Sequence, residues 1–333
     1  MEPLTNVRDI SQIAYGFMAS KALFASLNLD LFTRLSGQTK NLDTLARETS
    51  IAPHRLLTLL TACTSLGLII KDGERYGNAP ASERYLVQGA PSYFGDYYRF
   101  QIDRQIYPQL EQLDAALRGE NVRALYDLML DESEADHFSR AQHAGSLGPA
   151  TVLARQVDLS RCHRLLDVAG GSGAFSIILC QRCPEMSATI IDFPHVLEVA
   201  KRYVKEADLE ARIDYIAGSA METAWPCEQD AVLMSYLLSG VSESDVVTCI
   251  SSAFRSLKPG GLMMVHDFMV QDERDGPTSA ALWFLPLLFN PGAVSLTPSW
   301  LSELMTQAGF REIAVQDLLP GITQLILAKK PAE

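Results

Sequence analysis

Leu165-Leu166-Asp167-Val168-Ala169-Gly170-Gly171-Ser172-Gly173-Ala174-Phe175 runs from a short apolar stretch through an aspartate into a glycine-rich turn and then an apolar segment of helical character. The stretch reads as a strand feeding a tight turn at the edge of a parallel sheet. Glycine there lets the backbone approach a ligand closely, and the helix that follows presents free N–H groups. From residue 164 onward strand and helix patterns alternate. Residues 164–168, 188–191, 213–217, 231–235 and 262–266 are the expected strands, with Lys258-Pro259-Gly260-Gly261 as a turn before the fifth. Such alternation implies an α/β fold with a doubly wound, Rossmann-like parallel sheet.

Upstream of that region the reading is mostly helical. Ile13, Phe17, Leu23, Leu27 and Leu31 recur at helical spacing, and further helices open at Asn41 and at Ala52-Pro53. Residues 67–76 read as a hairpin with an Asp72-Gly73 turn. Helix, helix, helix, hairpin is a winged-helix arrangement, which serves either DNA binding or dimerisation. The second helix pair carries Arg55 and little other basic charge, and the chain has a net charge of −12 from 28 basic and 40 acidic residues. Nucleic acid and anionic membrane are therefore not expected partners. The long apolar face of residues 10–35 suits burial against a second subunit. The expected division is a winged-helix-like dimerisation domain over 1–100, connecting helices roofing a substrate pocket over 101–154, and the Rossmann-like domain over 155–333.

A chain of 333 residues, 47% hydrophobic, with mean hydropathy +0.05, is long enough to bury a large core. Its longest apolar run, residues 280–289, is interrupted by Pro286 and is too short to span a bilayer. The first seven residues have no basic stretch followed by an apolar one, and six scattered cysteines suggest no disulfide scaffold. A cytoplasmic location is expected. Cys180-Gln181-Arg182-Cys183 has no second pair at zinc spacing and reads as structural, so no metal is expected.

The glycine spacing Gly171-x-Gly173-x-x-Ser176 lacks the third glycine of the dinucleotide fingerprint, which disfavours NAD. Asp192 ends the second strand in Ile190-Ile191-Asp192-Phe193-Pro194, where a carboxylate can accept both hydroxyls of a ribose. Residues 165–176, Asp192-Phe193-Pro194-His195, Gly218-Ser219-Ala220-Met221 and residues 257–261 together resemble the S-adenosylmethionine (SAM) dependent small-molecule O-methyltransferase family, over nearly the whole chain. The resemblance implies a homodimer formed through the winged-helix domain, and SAM as cofactor with S-adenosylhomocysteine as its product. It implies that Gly170, Gly171 and Gly173 pass near the methionine part of SAM, that Asp192 holds the ribose, and that Ser219 and Met221 lie by the adenine. Asp167, Phe193, Gly218, Ala220, Ser235 and Tyr236 complete the expected cofactor set. The family often has aspartate where this chain has Ser219 and lysine where it has Ser235.

Relatives carry a His-Asp-Trp-like run after the fourth strand, and its histidine takes the proton of the accepting hydroxyl. Here the segment is Leu237-Leu238-Ser239-Gly240-Val241-Ser242, with Ser239 in the histidine position. A serine hydroxyl is a poor proton acceptor near neutral pH. Three explanations stand. Another residue is the base, with His266-Asp267 at the end of the fifth strand the leading pair and His137, His143 and His195 further candidates. Or the acceptor needs no base, as a thioether sulfur with a lone pair and no proton would not. Or the protein binds SAM without transferring methyl, its winged helix acting in regulation. In the second case aromatic faces would stabilise a sulfonium cation, and Tyr97, Tyr98, Phe100, Tyr107, Trp283 and Phe284 are available.

An acidic acceptor also needs an anion anchor, for which Arg99, Arg104 and Arg140 are candidates, although Arg99 and Arg104 do not share one face of an α-helix. The expected acceptor-binding residues are Tyr98, Arg99, Gln101, Arg104, Tyr107, Phe138, Arg140 and Trp283. The runs 98–108 and 266–270 are similar to a bacterial branch that S-methylates 4-methylthio-2-hydroxybutyrate on the way to dimethylsulfoniopropionate. That resemblance makes S-methylation of a small thioether acid the leading expectation. O- or C-methylation of a small natural product, with His266 as base, is the alternative.

Overall fold

The computed structural model of the protein describes residues 3–120, 122, 132–290 and 292–332. The chain divides into two compact units, residues 1–104 and 105–333.

The first unit contains α1 (Val7–Asn28), α2 (Leu31–Leu35), β1 (Lys40–Asn41), α3 (Leu42–Thr49), α4 (Pro53–Ser65), β2 (Ile69–Asp72), β3 (Arg75–Asn78) and α5 (Pro80–Tyr85). Asn41 starts α3 as its sequence position suggests, its side-chain oxygen accepting the Thr44 N–H at 2.9 Å. Pro53 occupies the first turn of α4, where its missing N–H costs nothing. The hairpin turn falls one residue later than the sequence indicates. Asp72 pairs with Arg75, so the loop is Gly73-Glu74, and Gly73 supplies a φ of +54°. The apolar stretch of residues 10–35 folds as two helices, α1 giving way to α2 at Asp30, which adopts a left-handed φ of 53°. Leu27, Leu31 and Phe32 enter a core with Leu45, Leu56, Leu60 and Tyr76. Ile13 and Phe17, from the same apolar stripe, are instead 71% and 51% exposed.

Tyr97–Ile106 is a π-helix, which nothing in the residue spacing announces. Its i→i+5 hydrogen bonding places residues five apart, such as Arg99 and Arg104, on successive turns of one side, which an α-helix would not do.

The second unit contains α6 (Tyr107–Leu110), α7 (Leu113–Leu117), α8 (Glu132–Gln156), β4 (Arg164–Val168), α9 (Ala174–Arg182), β5 (Ser187–Asp192), α10 (Pro194–Glu206), β6 (Ile213–Ala217), β7 (Gln229–Ser235), a 3₁₀ turn (Leu238–Gly240), α11 (Glu243–Ser256), β8 (Leu257–Asp267), α12 (Thr278–Leu287), α13 (Pro298–Gln307), β9 (Arg311–Leu319) and β10 (Thr323–Lys329). All five expected strands are present in one seven-stranded sheet of order β6-β5-β4-β7-β8-β10-β9. The sheet is not wholly parallel: β10 runs antiparallel to β8 and β9, because the short turn joining β9 to β10 permits no crossover. Lys258-Pro259-Gly260-Gly261 lies inside β8, at a bulge between the Gln229–Leu257 and Ala231–Leu262 pairs, and not ahead of the strand.

Alternate residues of the central strands feed opposite cores. Leu166, Val168, Val232 and Met234 pack with residues of α11, α12 and α13. Leu165, Ala231 and Leu233 pack with residues of α8, α9 and α10. Strands buried on both faces account for the near-continuous apolar runs of the sequence. Among the described residues no helix is long and apolar enough to cross a membrane.

Arg212, ahead of β6, ties down the end of α9. Its guanidinium donates to the carbonyl oxygens of Cys180, Cys183, Pro184 and Met186 at 2.7–3.1 Å. Helical bonds cannot reach carbonyls at a helix end. Arg212→Ala should lower unfolding free energy by about 2–3 kcal/mol, as removal of charge-assisted hydrogen bonds does. Urea unfolding followed by circular dichroism checks this, and Arg212→Lys should recover part of the loss because one ammonium cannot span the four carbonyls.

Candidate functional site

The chain enters the sheet at β4, moves outward through β5 and β6, and returns on the other side of β4 with β7 and β8. The order therefore reverses between β4 and β7, and the crevice outside the carboxyl ends of these strands is where such folds receive ligands. The expected cofactor residues gather along that edge. Residues 170–173 follow β4, Asp192 ends β5, residues 218–221 follow β6, and Ser235 and Tyr236 close β7.

The glycine turn is shaped from beneath by Asp167, which is buried and accepts the Ser176 hydroxyl at 2.6 Å. A Cβ on Gly170 would stand 2.8 Å from the Asp167 carboxyl carbon, so a larger residue would have to displace that buried carboxyl. Burial pushes the Asp167 carboxyl up to about 6, against the pull of the Ser176 hydrogen bond. Asp167 thus lies under the turn with its carboxyl bonded to Ser176. Gly171 has a φ of +58° with open space where a Cβ would point. Its N–H donates to Asp192 Oδ2 at 2.8 Å, and Phe193 N–H donates to Oδ1 at 2.7 Å. Asp192 is raised chiefly by burial, with these two bonds opposing, and its oxygens keep lone pairs for further donors. The 218–221 segment is held by the Asp192 carbonyl, which accepts Gly218 N–H at 3.0 Å, and by Ser219 Oγ, which accepts Met221 N–H at 3.3 Å. An open glycine cradle, a carboxylate with spare acceptors and the side-chain-uncapped N-terminus of α9 fit an amino-acid nucleoside such as SAM.

His266 departs from expectation. It is fully buried, with Nδ1 2.9 Å from Ser235 Oγ and Nε2 2.9 Å from Thr323 Oγ1. Burial pushes its pKa down to about 3, so the ring is neutral. With both nitrogens engaged it has none to offer a substrate proton, and the general-base assignment is corrected: His266 joins β7, β8 and β10. Ser235, expected to meet the cofactor, turns its hydroxyl to this histidine. Asp267, also fully buried, accepts Ser239 N–H at 3.0 Å and Phe268 N–H at 2.8 Å. The Ser239 hydroxyl bonds the same carboxyl, which burial raises to about 6. Beside this pair runs an aromatic series. Phe268 stacks on Trp283 with ring centres 4.6 Å apart and neighbours Tyr236 at 5.4 Å.

The other expected acceptor residues are distributed between the two units. In the first, Tyr98 packs with Phe94 and Tyr97, Gln101 is buried, and Arg104 is exposed. Arg99 lies 3.5 Å from the Asp30 carboxylate, so the anion anchor expected of it already has a counter-ion. In the second, Tyr107 and Phe138 are half-buried and Arg140 is exposed. His195 is exposed beside Phe193. Cys180 is buried, with its thiol raised to about 11 by burial, and acts as a core residue. Among the described residues no cluster of three or more His, Cys, Asp or Glu can hold a metal.

One contact escaped the sequence reading. His143 Nδ1 lies 2.9 Å from Ser172 Oγ, inside the glycine turn, and its ring stacks on Tyr203 at 3.6 Å and 2°. Ser172 and Tyr203 belong to elements with no shared periodicity, so no local pattern could join them to His143.

The family model of the O-methyltransferase domain matches residues 121–311, more than half of the chain. The chain belongs to this O-methyltransferase family. The model of the O-methyltransferase dimerisation domain matches residues 11–88. Among relatives, 3-hydroxy-5-methyl-1-naphthoate 3-O-methyltransferase of Streptomyces sahachiroi is 29% identical over 96% of this chain and 94% of its own. Acetylserotonin O-methyltransferase of Bos taurus is 28% identical over 96% and 97%. The structure of human N-acetylserotonin methyltransferase in complex with SAM superposes with a TM-score of 0.86 at 25% identity, covering 99% of this chain and all of that one. This member of the O-methyltransferase family is a SAM-dependent methyltransferase.

Asp167 is neutral in the folded protein below about pH 6, whereas in the unfolded chain it is neutral only below about 3.9. Folding therefore binds a proton between those values, and this contribution to stability is lost as pH rises through about 6. Asp167→Asn should lose less stability than the parent protein on going from pH ~4 to pH ~7, by up to about 1.4 kcal/mol per pH unit. Urea unfolding across that range reads it, and Asp267, which titrates in the same interval, stays in both proteins.

Proposed function

We propose that this methyltransferase methylates the thioether sulfur of a small acidic molecule, with 4-methylthio-2-hydroxybutyrate the expected acceptor, and removes no proton from it. The observation that carries this reading is the Ser239–Asp267 pair. At the position where the family resemblance puts a histidine base, a serine turns both its N–H and its hydroxyl to a buried carboxyl. His266 nearby is sealed by Ser235 and Thr323. A thioether sulfur presents a lone pair and carries no proton, so the missing base costs such a reaction nothing.

SAM, when bound, supplies an electrophilic methyl group on a sulfonium centre. The chain's own residues hold and orient the reactants. In this reading Gly170, Gly171 and Gly173 border the amino-acid end of SAM, Asp192 accepts its ribose hydroxyls, and Phe193 with residues 218–221 flanks the adenine. The faces of Tyr236, Phe268 and Trp283 exclude water and stabilise positive charge growing on the acceptor sulfur. The second reading, O-methylation, is favoured by the relatives, which are named O-methyltransferases. It would need Asp267 to receive the hydroxyl proton through Ser239. The protein is also proposed to act as a homodimer. The exposed apolar residues Val7, Ile10, Ile13 and Phe17 of α1 fit burial against a second copy, and the dimerisation-domain match covers most of that helix.

Incubation with SAM and a panel of thioether acids, hydroxy acids and phenols, read by mass spectrometry, tests the acceptor. A sulfonium product is expected; turnover of phenols with none of thioether acids would overturn the reading. With a thioether acceptor, Ser239→Ala should keep kcat within about threefold, since no proton passes through it. Under O-methylation the same rate would drop about a hundredfold or more on Asp267→Asn. A double Ile13→Glu, Phe17→Glu variant should elute as a monomer in size-exclusion chromatography with light scattering.

A further inference from the structure

We propose that His143 is a positioning residue for the methyl donor: by holding Ser172 it presets the glycine turn that receives the donor's amino-acid end. The inference rests on the reading that SAM binds at this turn.

Three elements meet at His143. The residue lies on α8, its Nδ1 reaches Ser172 Oγ at 2.9 Å in the turn between β4 and α9, and its ring stacks flat on Tyr203 of α10. The backbone bond from Gly171 to Asp192 holds one side of the turn, and His143 adds a side-chain tie on Ser172. Gly170, Gly171 and Gly173 have no side chain to restrain them, and glycine loses more conformational freedom on ordering than any other residue. Ser172 is the one residue of 170–173 with a side chain, and it is only 3% exposed. Its hydroxyl is thus the handle by which a neighbouring element can fix the turn. Tyr203 fixes the imidazole in turn, because a ring held parallel to another at 3.6 Å cannot rotate away without losing the contact.

The protonation state suits the same role. Burial pushes His143 down to about 4, so the ring is neutral at physiological pH. SAM carries a sulfonium and an ammonium group against one carboxylate, and an imidazolium beside the turn would repel that net positive charge. A neutral imidazole restrains the turn without that cost.

Calorimetric titration with S-adenosylhomocysteine tests the proposal on the parent protein, His143→Ala, His143→Asn, Ser172→Ala and the double alanine variant. His143→Ala and Ser172→Ala should each weaken binding about tenfold, and the double variant should be no weaker than either, since both remove one contact. The shorter amide of His143→Asn offers a nitrogen or oxygen where Nδ1 stood, so this variant should regain most of the affinity. In turnover the KM for SAM should rise while kcat at saturating SAM stays within about twofold. In the ligand-free variants the amides of residues 171–173 should exchange hydrogen faster. Parent-like binding by His143→Ala, or losses that multiply in the double variant, would overturn the proposal. If His143→Ala does not fold, Ser172→Ala, which deletes one hydroxyl, decides the matter. If the parent protein itself fails to bind S-adenosylhomocysteine, the donor reading and this inference fall together.

Discussion

The hydrogen bond from Gly171 N–H to the Asp192 carboxylate is the constraint around which the catalytic edge is organised. It ties the turn after β4 to the end of β5, and the Asp192 carbonyl goes on to hold Gly218 at the start of the third loop. Three successive loops are thereby registered to one residue. Beneath them Asp167 carries a second carboxyl, this one fully buried and satisfied by Ser176 from the first turn of α9. The charge of Asp192 adds to the burial that raises the proton affinity of Asp167. Two neighbouring carboxyls, one fully buried and one half-buried, are a poor choice for a protein built for stability alone. They make sense at an edge that must receive a cationic ligand.

The far end of the edge follows a different logic. Ser235, His266 and Thr323 form a closed polar chain across β7, β8 and β10, and Asp267 is closed on Ser239 and Phe268. Each of these polar side chains has a partner inside the protein, and the aromatic rings of Tyr236, Phe268 and Trp283 pack beside them.

The parts of the fold visible in the residues were those carried by short-range pattern. The five strands, the Asn41 cap and the start of α4 rest on alternation and capping chemistry within a few residues. The β9–β10 hairpin was missed because exposed and buried positions in β9 do not alternate cleanly. The π-helix was missed because its residues also read as an ordinary helix. Asp192 was legible as the acidic residue that ends β5. His266 was misread because Thr323, its second partner, lies in a strand far along the chain. His143 was visible as a titratable residue but not as a partner of Ser172, since only the folded packing of α8 against α9 brings them together.

The Thr323 contact has a consequence for how the protein is made. Until β10 pairs with β8, the β8 edge is open and Nε2 of His266 lacks its Thr323 partner. A buried polar atom without a partner is costly. An unpaired β8 edge is open to wrong partners until β10 occupies it. The last strand of the sheet in sequence is thus the one that completes the partners of a histidine on β8.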